Sequence, residues 1–456
     1  MFCDKMAYLW SCAMLLVNLI LGVTDGLNVS YPTCVIGAGY SGLGAARYLK
    51  EYGVDFKVLE ATRHVGGTWR FDPHVGSDED GLPLFTSMYK NLRTNTPRQT
   101  MEYSGFPFPE DTPSYPTSTC FYRYLKNFTK EFDFEKHIQF RSLVTDVKWA
   151  GGHWNVTYHR TDTRVNQTEP CGFLIIASGE YRKPVMPKFI GQDTFRGTVI
   201  HSHDYKDPET YRGRRVLLVG AGASGLDLAT HLSNVTAKLV HSHHLAYNQP
   251  YFGPNYVKKP DILSFTTDGV VFKDDSFEEI DDVIFCTGYD YEHSFLDKSC
   301  GITATSKFLL PLYQHMVNIR YPSMVFIGVP KKVINRVLDA QGQYAAALAA
   351  KKFELPSGQA MLRAWLDNAY KLQAKGMTMI DINVIGDEMD NYFATLSKEA
   401  GVVRAPPVLS TIRDFNAKNR LEDLLNYRDY DYKLLDDKHY ERLYNLRKNH
   451  TCPIED

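Results

Sequence analysis

The chain has 456 residues, 44% hydrophobic and 23% charged, with a formal net charge of −2. That length holds two or three domains, and the ordinary globular balance excludes a disordered or collagen-like chain. The near-neutral charge gives no basis for nucleic-acid binding or for attraction to an anionic membrane surface.

At the N-terminus Lys5 precedes an apolar run from Met6 to Val23, followed by Asp25-Gly26. A basic start, a short apolar core and small residues near Gly22 predict a secretory signal peptide over 1–24 and an extracellular protein. A retained anchor is the competing reading, because the run sits at the lower length limit for a span. Sequons at Asn28, Asn127, Asn155, Asn166, Asn234 and Asn449 agree with export and glycosylation. Asn234 follows a predicted helix and is the candidate for occlusion.

From Thr33 the pattern alternates strands and helices. Cys34–Ile36 reads as a strand, and Gly37-Ala-Gly39-Tyr-Ser-Gly42 follows it as a G-x-G-x-x-G turn into a helix over 41–52. Phe56–Leu59 reads as the next strand and ends in Glu60, placed to accept hydrogen bonds from a ribose hydroxyl. Phe173–Gly179 is a further strand with a small-residue exit. A second fingerprint, Gly220-Ala-Gly222-Ala-Ser224-Gly225, follows the strand Val216–Val219. Val283–Gly288 repeats the strand with a glycine exit, and Phe326–Pro330 leads into a helix over 340–352. The part from about Thr411 reads as polar helical turns.

In each fingerprint the glycines permit a tight turn and a close backbone approach to pyrophosphate, and the helix N-terminus offers free N–H groups. Two such turns predict two dinucleotides on one α/β chain, a flavin and a nicotinamide. Two Rossmann-like dinucleotide-binding domains follow: an FAD domain in two segments, 25–187 and 296–456, the latter including a C-terminal helical region. An NADPH domain, 188–295, is inserted between them.

The remaining cysteines are Cys34, Cys120, Cys171, Cys286, Cys300 and Cys452. They show no C-x-x-C and no zinc spacing, so no metal site and no dithiol redox centre are predicted. Cys34 and Cys286 lie in strand-like runs and read as buried, inert thiols. Cys300 and Cys452 lie in loop-like sequence and are open to pairing, although spacing does not fix connectivity.

Several ordered motifs resemble the flavin-containing monooxygenases. Phe195-Arg-Gly197-Thr-Val-Ile-His201-Ser-His-Asp-Tyr205 is similar to the family signature F-x-G-x-x-x-H-x-x-x-[Y/F]. Gly66-Gly67-Thr68-Trp69 resembles its flavin-side segment, Tyr89–Pro97 its asparagine segment, and Cys286–Tyr289 its [A/C]-T-G-Y element. Leu310–Tyr313 and Gln341 fit its C-terminal flavin half. The resemblance runs from about Thr33 to Pro356.

The resemblance implies FAD reduced by NADPH, dioxygen captured as a C4a-hydroperoxyflavin, and oxygen transfer to a soft nucleophile such as a tertiary amine or sulfide. It implies that Gly37, Gly39, Gly42 and Glu60 hold the FAD adenosine end, and that Gly67, Thr68, Trp69 and Gln341 lie along the flavin side. Asn95 becomes the catalytic candidate, beside the flavin reaction centre and the nicotinamide ribose. Gly220, Gly222, Ser224 and Gly225 would hold the NADPH pyrophosphate. For His201, structural or hinge support outweighs proton transfer.

The strand Ala237–Val240 runs into His241-Ser242-His243-His244, where the family offers an Arg for the 2′-phosphate. NADPH is still expected, with a weakened preference over NADH and with Lys238 or Arg215 as helpers. Lacking a C-terminal anchor, the chain is similar to secreted insect N-oxygenases that detoxify pyrrolizidine alkaloids. A broad amine and sulfide monooxygenase, or a secreted flavoprotein carrier, are the alternatives. A Baeyer–Villiger enzyme ranks lower, because Tyr205-Lys206 stands where that signature ends in Trp-Pro. A homo-oligomer stays open.

Overall fold

The computed structural model describes residues 30–445 and 452–455. The predicted signal segment and the sequons at Asn28 and Asn449 lie outside the described residues.

The elements run β1 (Thr33–Ile36), α1 (Tyr40–Glu51), β2 (Phe56–Leu59), α2 (Ser118–Glu131) and β3 (Ile138–Gln139). An antiparallel trio follows, β4 (Ser142–Trp149), β5 (Trp154–Arg160) and β6 (Asn166–Cys171), then β7 (Phe173–Ile176) and β8 (Lys183–Pro184). Next come β9 (Thr198–His201), β10 (Arg215–Val219), α3 (Ala223–Leu232), β11 (Lys238–Ser242) and β12 (Tyr256–Lys259). A second antiparallel trio, β13 (Ile262–Phe265), β14 (Gly269–Phe272) and β15 (Phe277–Glu279), precedes β16 (Asp282–Phe285) and β17 (Tyr289–Asp290). The chain continues through β18 (Thr303–Ala304), β19 (Leu309–Leu310), β20 (Leu312–Tyr313), β21 (Val317–Asn318), β22 (Met324–Phe326) and α4 (Asn335–Ala349). It ends in α5 (Gly358–Ala374), α6 (Met389–Ala400), α7 (Val408–Glu422) and the hairpin β23 (Tyr430–Leu434) and β24 (Tyr440–Tyr444).

Two sheets organise these elements. The larger has the order β20-β21-β22-β7-β1-β2-β3, and the smaller the order β12-β11-β10-β16-β9. The chain leaves the larger sheet after β7 and rejoins it at β20. At the crossing, β8 and β17 pair antiparallel.

Both sheets are covered on both faces, which is why their central strands are near-continuous hydrophobic runs. In β1, Val35 packs with the helical core, whereas Cys34 and Ile36 pack with Val144, Val147 and Trp154 of the antiparallel trio. In β10, Val216 and Leu218 share the core with Leu226 of α3, whereas Leu217 packs with Phe265 and Phe272 of the second trio. Helices α1 and α4 touch backbone to backbone. A Cβ on Gly342 would come within 3.0 Å of Ala45 N.

The cysteine pairing differs from expectation. Cys34 is not a free thiol: it bonds to Cys171, with Cα atoms 5.8 Å apart. The register that sets Thr33 opposite Phe173 carries Cys171 to the side of β1. Cys452 pairs with Cys120 of α2, not with Cys300. Cys286 and Cys300 are free and buried, and burial pushes both thiols up to about 12.

Two further expectations are corrected. The C-terminal part is not helical throughout, since α7 gives way to a hairpin in which Tyr430 and Tyr432 alternate with Asp431 and Lys433. Asn234 is exposed, not occluded, and its Nδ2 donates to Thr230 O at 3.2 Å. Among the described residues no helix is long and apolar enough to cross a membrane.

Candidate functional site

The two glycine turns are built alike. Gly37 has φ +99° and Gly220 φ +98°, conformations that favour glycine. A Cβ on Gly37 would meet Ala177 O at 2.6 Å, and one on Gly220 would meet Cys286 O at 2.7 Å. The third glycine of each set packs onto the first. A Cβ on Gly42 would fall 1.9 Å from Gly37 O, and one on Gly225 2.0 Å from Gly220 O. Only glycine lets each helix start this close to its strand.

Helices α1 and α3 therefore open directly on these turns. Neither N-terminus has a side-chain cap, and neither first turn holds an acid. Their first N–H groups have no intrahelical partners, and the positive end of each helix faces the turn. Each is a ready anion site.

The middle glycines differ. Gly39 lies against Gly67, whose Cβ would approach Gly39 Cα to 3.0 Å. The first fingerprint thus abuts the Gly67-Thr68-Trp69 turn. Gly222 is exposed, and a Cβ there would meet nothing within 4 Å. Ser224 beside it is half-buried.

Glu60 is buried at the end of β2. Its Oε2 accepts from Ala38 N at 2.7 Å, and its Oε1 accepts from Thr62 N at 2.9 Å and Thr62 Oγ1 at 2.8 Å. The carboxylate locks the fingerprint turn and keeps lone pairs for a ribose hydroxyl. Thr68 Oγ1 is buried without a protein partner, and the Trp69 ring sits 4.2 Å from that of Phe121.

Asn95 is half-buried, and no hydrogen bond among the described residues engages its side-chain amide. Its carbonyl accepts from Asn416 Nδ2 at 2.9 Å. Gln341 is fully buried with both ends of its amide engaged, accepting from Gly328 N at 3.1 Å and donating to Tyr392 OH at 2.9 Å. It reaches the cleft only through the Gly328 backbone.

His201 ends β9, fully buried against Tyr289, with ring centroids 5.0 Å apart. Burial and the neighbouring His203 push its pKa down to about 4, so it is neutral near pH 7. His241 is likewise buried and pushed down to about 4 by burial. Its Nε2 lies 2.9 Å from Gly220 O, which can only accept, so Nε2 carries the proton. His241 braces the second turn from behind.

Lys238 and Arg215 cannot serve the second dinucleotide. They stand at the amino ends of β11 and β10, in register with each other and at the opposite end of the strands from Gly220. Both are already paired, Lys238 with Glu278 and Arg215 with Glu279 and Asp281. At the other end of the strands Lys258 is exposed opposite His241 in the β11–β12 register, and its neighbour Lys259 is paired with Glu278.

Sequence reasoning marked the glycine exit at Ser178-Gly179 but not the side chains of the cleft it opens on, at the carboxyl ends of β7 and β22, where Glu180, Tyr291 and His293 join Ser178, Gly179 and Gly328. Burial raises the Glu180 carboxyl to about 8. Arg182 stacks 4.5 Å over the Phe85 ring, and its buried Nε has no partner. The Nδ1 of His293 is also buried and unpartnered. These orphaned polar groups lie on the side of the first fingerprint and Glu60, where they fit a pyrophosphate-bearing dinucleotide at the uncapped α1 start. No local motif marks Arg182, which is an ordinary residue three positions past Gly179.

The flavin-binding monooxygenase-like family matches residues 32–246 and 253–418. This chain belongs to that family. As a monooxygenase of this kind it uses FAD and NADPH, with dioxygen and a small-molecule substrate. It is 48% identical over 451 residues to senecionine N-oxygenase of Tyria jacobaeae, covering 97% of this chain and 98% of the relative. Flavin-containing monooxygenase FMO GS-OX-like 9 of Arabidopsis thaliana is 31% identical, with 75% and 80% covered. Among solved structures, S-allyl-L-cysteine S-oxygenase from Allium sativum superposes with a TM-score of 0.81 at 26% identity, covering 90% of this monooxygenase and 96% of that chain.

Proposed function

We propose that this monooxygenase N-oxygenates the tertiary nitrogen of pyrrolizidine alkaloids such as senecionine, and thereby detoxifies them. The carrying observation is the 48% identity, end to end, with a senecionine N-oxygenase. When bound, the cofactors would supply the chemistry, NADPH as hydride donor and FAD as hydride acceptor and site of dioxygen activation.

The chain's own residues bind, orient and exclude water. The α1 N-terminus with Gly37, Gly39 and Gly42 receives the FAD pyrophosphate, Glu60 the adenosine ribose, and Arg182 offsets the phosphate charge. The segments 25–187 and 296–456 make up the FAD domain, and 188–295 the NADPH domain between them. There, Gly220, Gly222, Ser224 and Gly225 hold the pyrophosphate. Lys258 takes the place of the missing Arg at the 2′-phosphate. Trp69 on Phe121 walls the flavin side, along with Gly67 and Thr68. Gln341 positions the Gly328 backbone beneath it. Asn95 donates from its free amide at the reaction centre.

Export to an oxidising compartment belongs to the same reading. Two disulfides, exposed asparagines in the sequons at 127, 166 and 234, and the basic-apolar start of the chain support it.

The test is NADPH consumption with mass analysis of product, using senecionine against a simple sulfide. One added oxygen on the alkaloid and little on the sulfide is the expected result. Oxidation of both at similar rates would instead favour the broad amine and sulfide reading, which the S-oxygenating neighbour keeps alive. Asn95→Ala is expected to cut N-oxide formed per NADPH by at least about tenfold while peroxide rises, since a positioned donor at a reaction centre contributes on that scale or more. An unchanged product-to-NADPH ratio removes Asn95 from the reaction centre.

A further inference from the structure

We propose that Arg428 is a positioning residue: through it the C-terminal strap fixes the Asn95 segment against the second dinucleotide site. The inference rests on the roles proposed above for Asn95 and for the second fingerprint.

Three successive carbonyls carry the Asn95 segment. Arg93 O accepts from Arg428 Nη2 at 3.3 Å, Thr94 O from Arg428 Nε at 3.0 Å, and Asn95 O from Asn416 Nδ2 at 2.9 Å. All three donors belong to the last forty-odd residues of the chain, more than three hundred positions away. Asn416 is itself held, since its Oδ1 accepts from Tyr115 OH at 2.6 Å. Arg93 returns the contact, its Nη2 donating to Arg428 O at 2.9 Å.

The same guanidinium reaches the other site. Arg428 Nη1 donates to Asp227 Oδ1 at 2.5 Å, with the two side chains only 14% and 9% exposed. Asp227 lies in α3, the helix that opens on Gly222. Its second oxygen accepts from Tyr89 OH, on the strand of chain leading to Asn95. Burial pushes the Asp227 carboxyl up, but the Arg428 charge, His231 and the hydrogen bonds from Tyr89 and Arg428 together hold it below its ordinary range, so the pair is ionised.

One planar fork therefore ties the Arg93 and Thr94 carbonyls, just before Asn95, to the nicotinamide-side helix. Arginine suits this because its donors point in fixed directions to several acceptors at once, whereas lysine offers one point charge. An ion pair alone would need no contact with Arg93 O and Thr94 O. Other bonds fasten the same C-terminal segment without touching the Asn95 segment: Gln99 Nε2 to Tyr432 O, Ser114 N to Asp431 Oδ1, and Asn248 N and Nδ2 to Leu421 O and Glu422 O.

The test compares the parent holoenzyme with Arg428→Lys and Asp227→Asn. Three quantities are read: FAD content and thermal midpoint, NADP⁺ affinity by calorimetry, and the anaerobic rate at which NADPH bleaches the yellow flavin. The expected result for Arg428→Lys is a normal FAD content and midpoint, NADP⁺ affinity within about threefold of the parent, and bleaching slowed at least about tenfold, since a displacement of about 1 Å between reacting groups costs up to about a hundredfold. Peroxide released per NADPH should rise in parallel. Asp227→Asn keeps shape and loses the charge, and should give the same signature if Arg428→Lys fails to fold.

Bleaching and coupling within about twofold of the parent in both variants would overturn the proposal. So would slowed bleaching that merely tracks lost FAD and a lowered midpoint, because that is a structural role alone. A parent protein that NADPH never bleaches would fail differently: it would overturn the function proposed for the second fingerprint, before any variant is compared.

Discussion

Gly222→Val is expected to reduce flavin reduction by NADPH by more than about a hundredfold while FAD stays bound. The fold gives no reason for the variant to unfold. Gly222 has φ −72°, which any residue adopts, and a Cβ there meets nothing within 4 Å. What the side chain fills is the space in front of the α3 N-terminus, where the N–H groups point. A pyrophosphate that must approach that backbone closely would meet two methyl groups instead. The loss of several charge-assisted hydrogen bonds, each worth about 1.5–3 kcal/mol, sets the scale of the effect. The contrast with Gly225→Val sharpens the test, since a Cβ on Gly225 would fall 2.0 Å from Gly220 O and should disrupt the turn itself. Thermal midpoint, FAD absorbance and anaerobic bleaching separate the two. A Gly222→Val protein reduced at the parent rate would remove the second fingerprint from nicotinamide binding.

The parts of this site legible in the sequence are those set by neighbours within a few residues. The strands before each fingerprint, the glycine turns and Glu60 are local: an apolar run, a left-handed glycine, a strand-end acid. The structure has β2 at Phe56–Leu59, as the short apolar run ending in Glu60 implied, and β10 only one residue longer than expected. What escaped was long-range. Cys34 meets Cys171 because two parallel strands share a register, which spacing alone cannot reveal. Asn95 is held by Asn416, and Thr94 before it by Arg428, residues whose local sequence reads as a polar surface helix and turn. Lys238 and Arg215 looked available until strand direction placed them at the wrong edge, among Glu278, Glu279 and Asp281. Charge type is readable there; which end of a strand faces the glycine turn follows only from the strand direction and register.

Acid should weaken this protein through its buried histidines, and the nicotinamide side should go first. His201, His241, His243 and His293 are each pushed down to about 4, burial being the largest cause in every case. The ordinary value is 6.5, reached when the chain unfolds. Above pH 6.5 both states are neutral, and the histidines leave stability intact. As pH falls below 6.5 the unfolded chain takes up protons that the folded chain refuses, so stability drops until about pH 4, where the folded rings protonate too. For fully buried His241 the gap corresponds to about 3 kcal/mol at completion. Glu180 works the other way: its raised carboxyl costs stability at neutral pH, and acid relieves that cost. Glu102 and Asp339 are raised by burial as well, and His231 and His315 are lowered by it, so three carboxyls stand against six imidazoles and the balance is a net loss. The second turn is the weak point, because His241 donates to Gly220 O and sits 3.1 Å from Tyr256 OH, with no carboxylate to receive a positive charge. The expected outcome is NADP⁺ affinity that declines from about pH 6.5 downward, ahead of FAD release, with a shallower decline in His241→Gln, whose amide keeps a donor and cannot titrate. Equal pH dependence of the variant and the parent would show that His241 does not couple protonation to the second site.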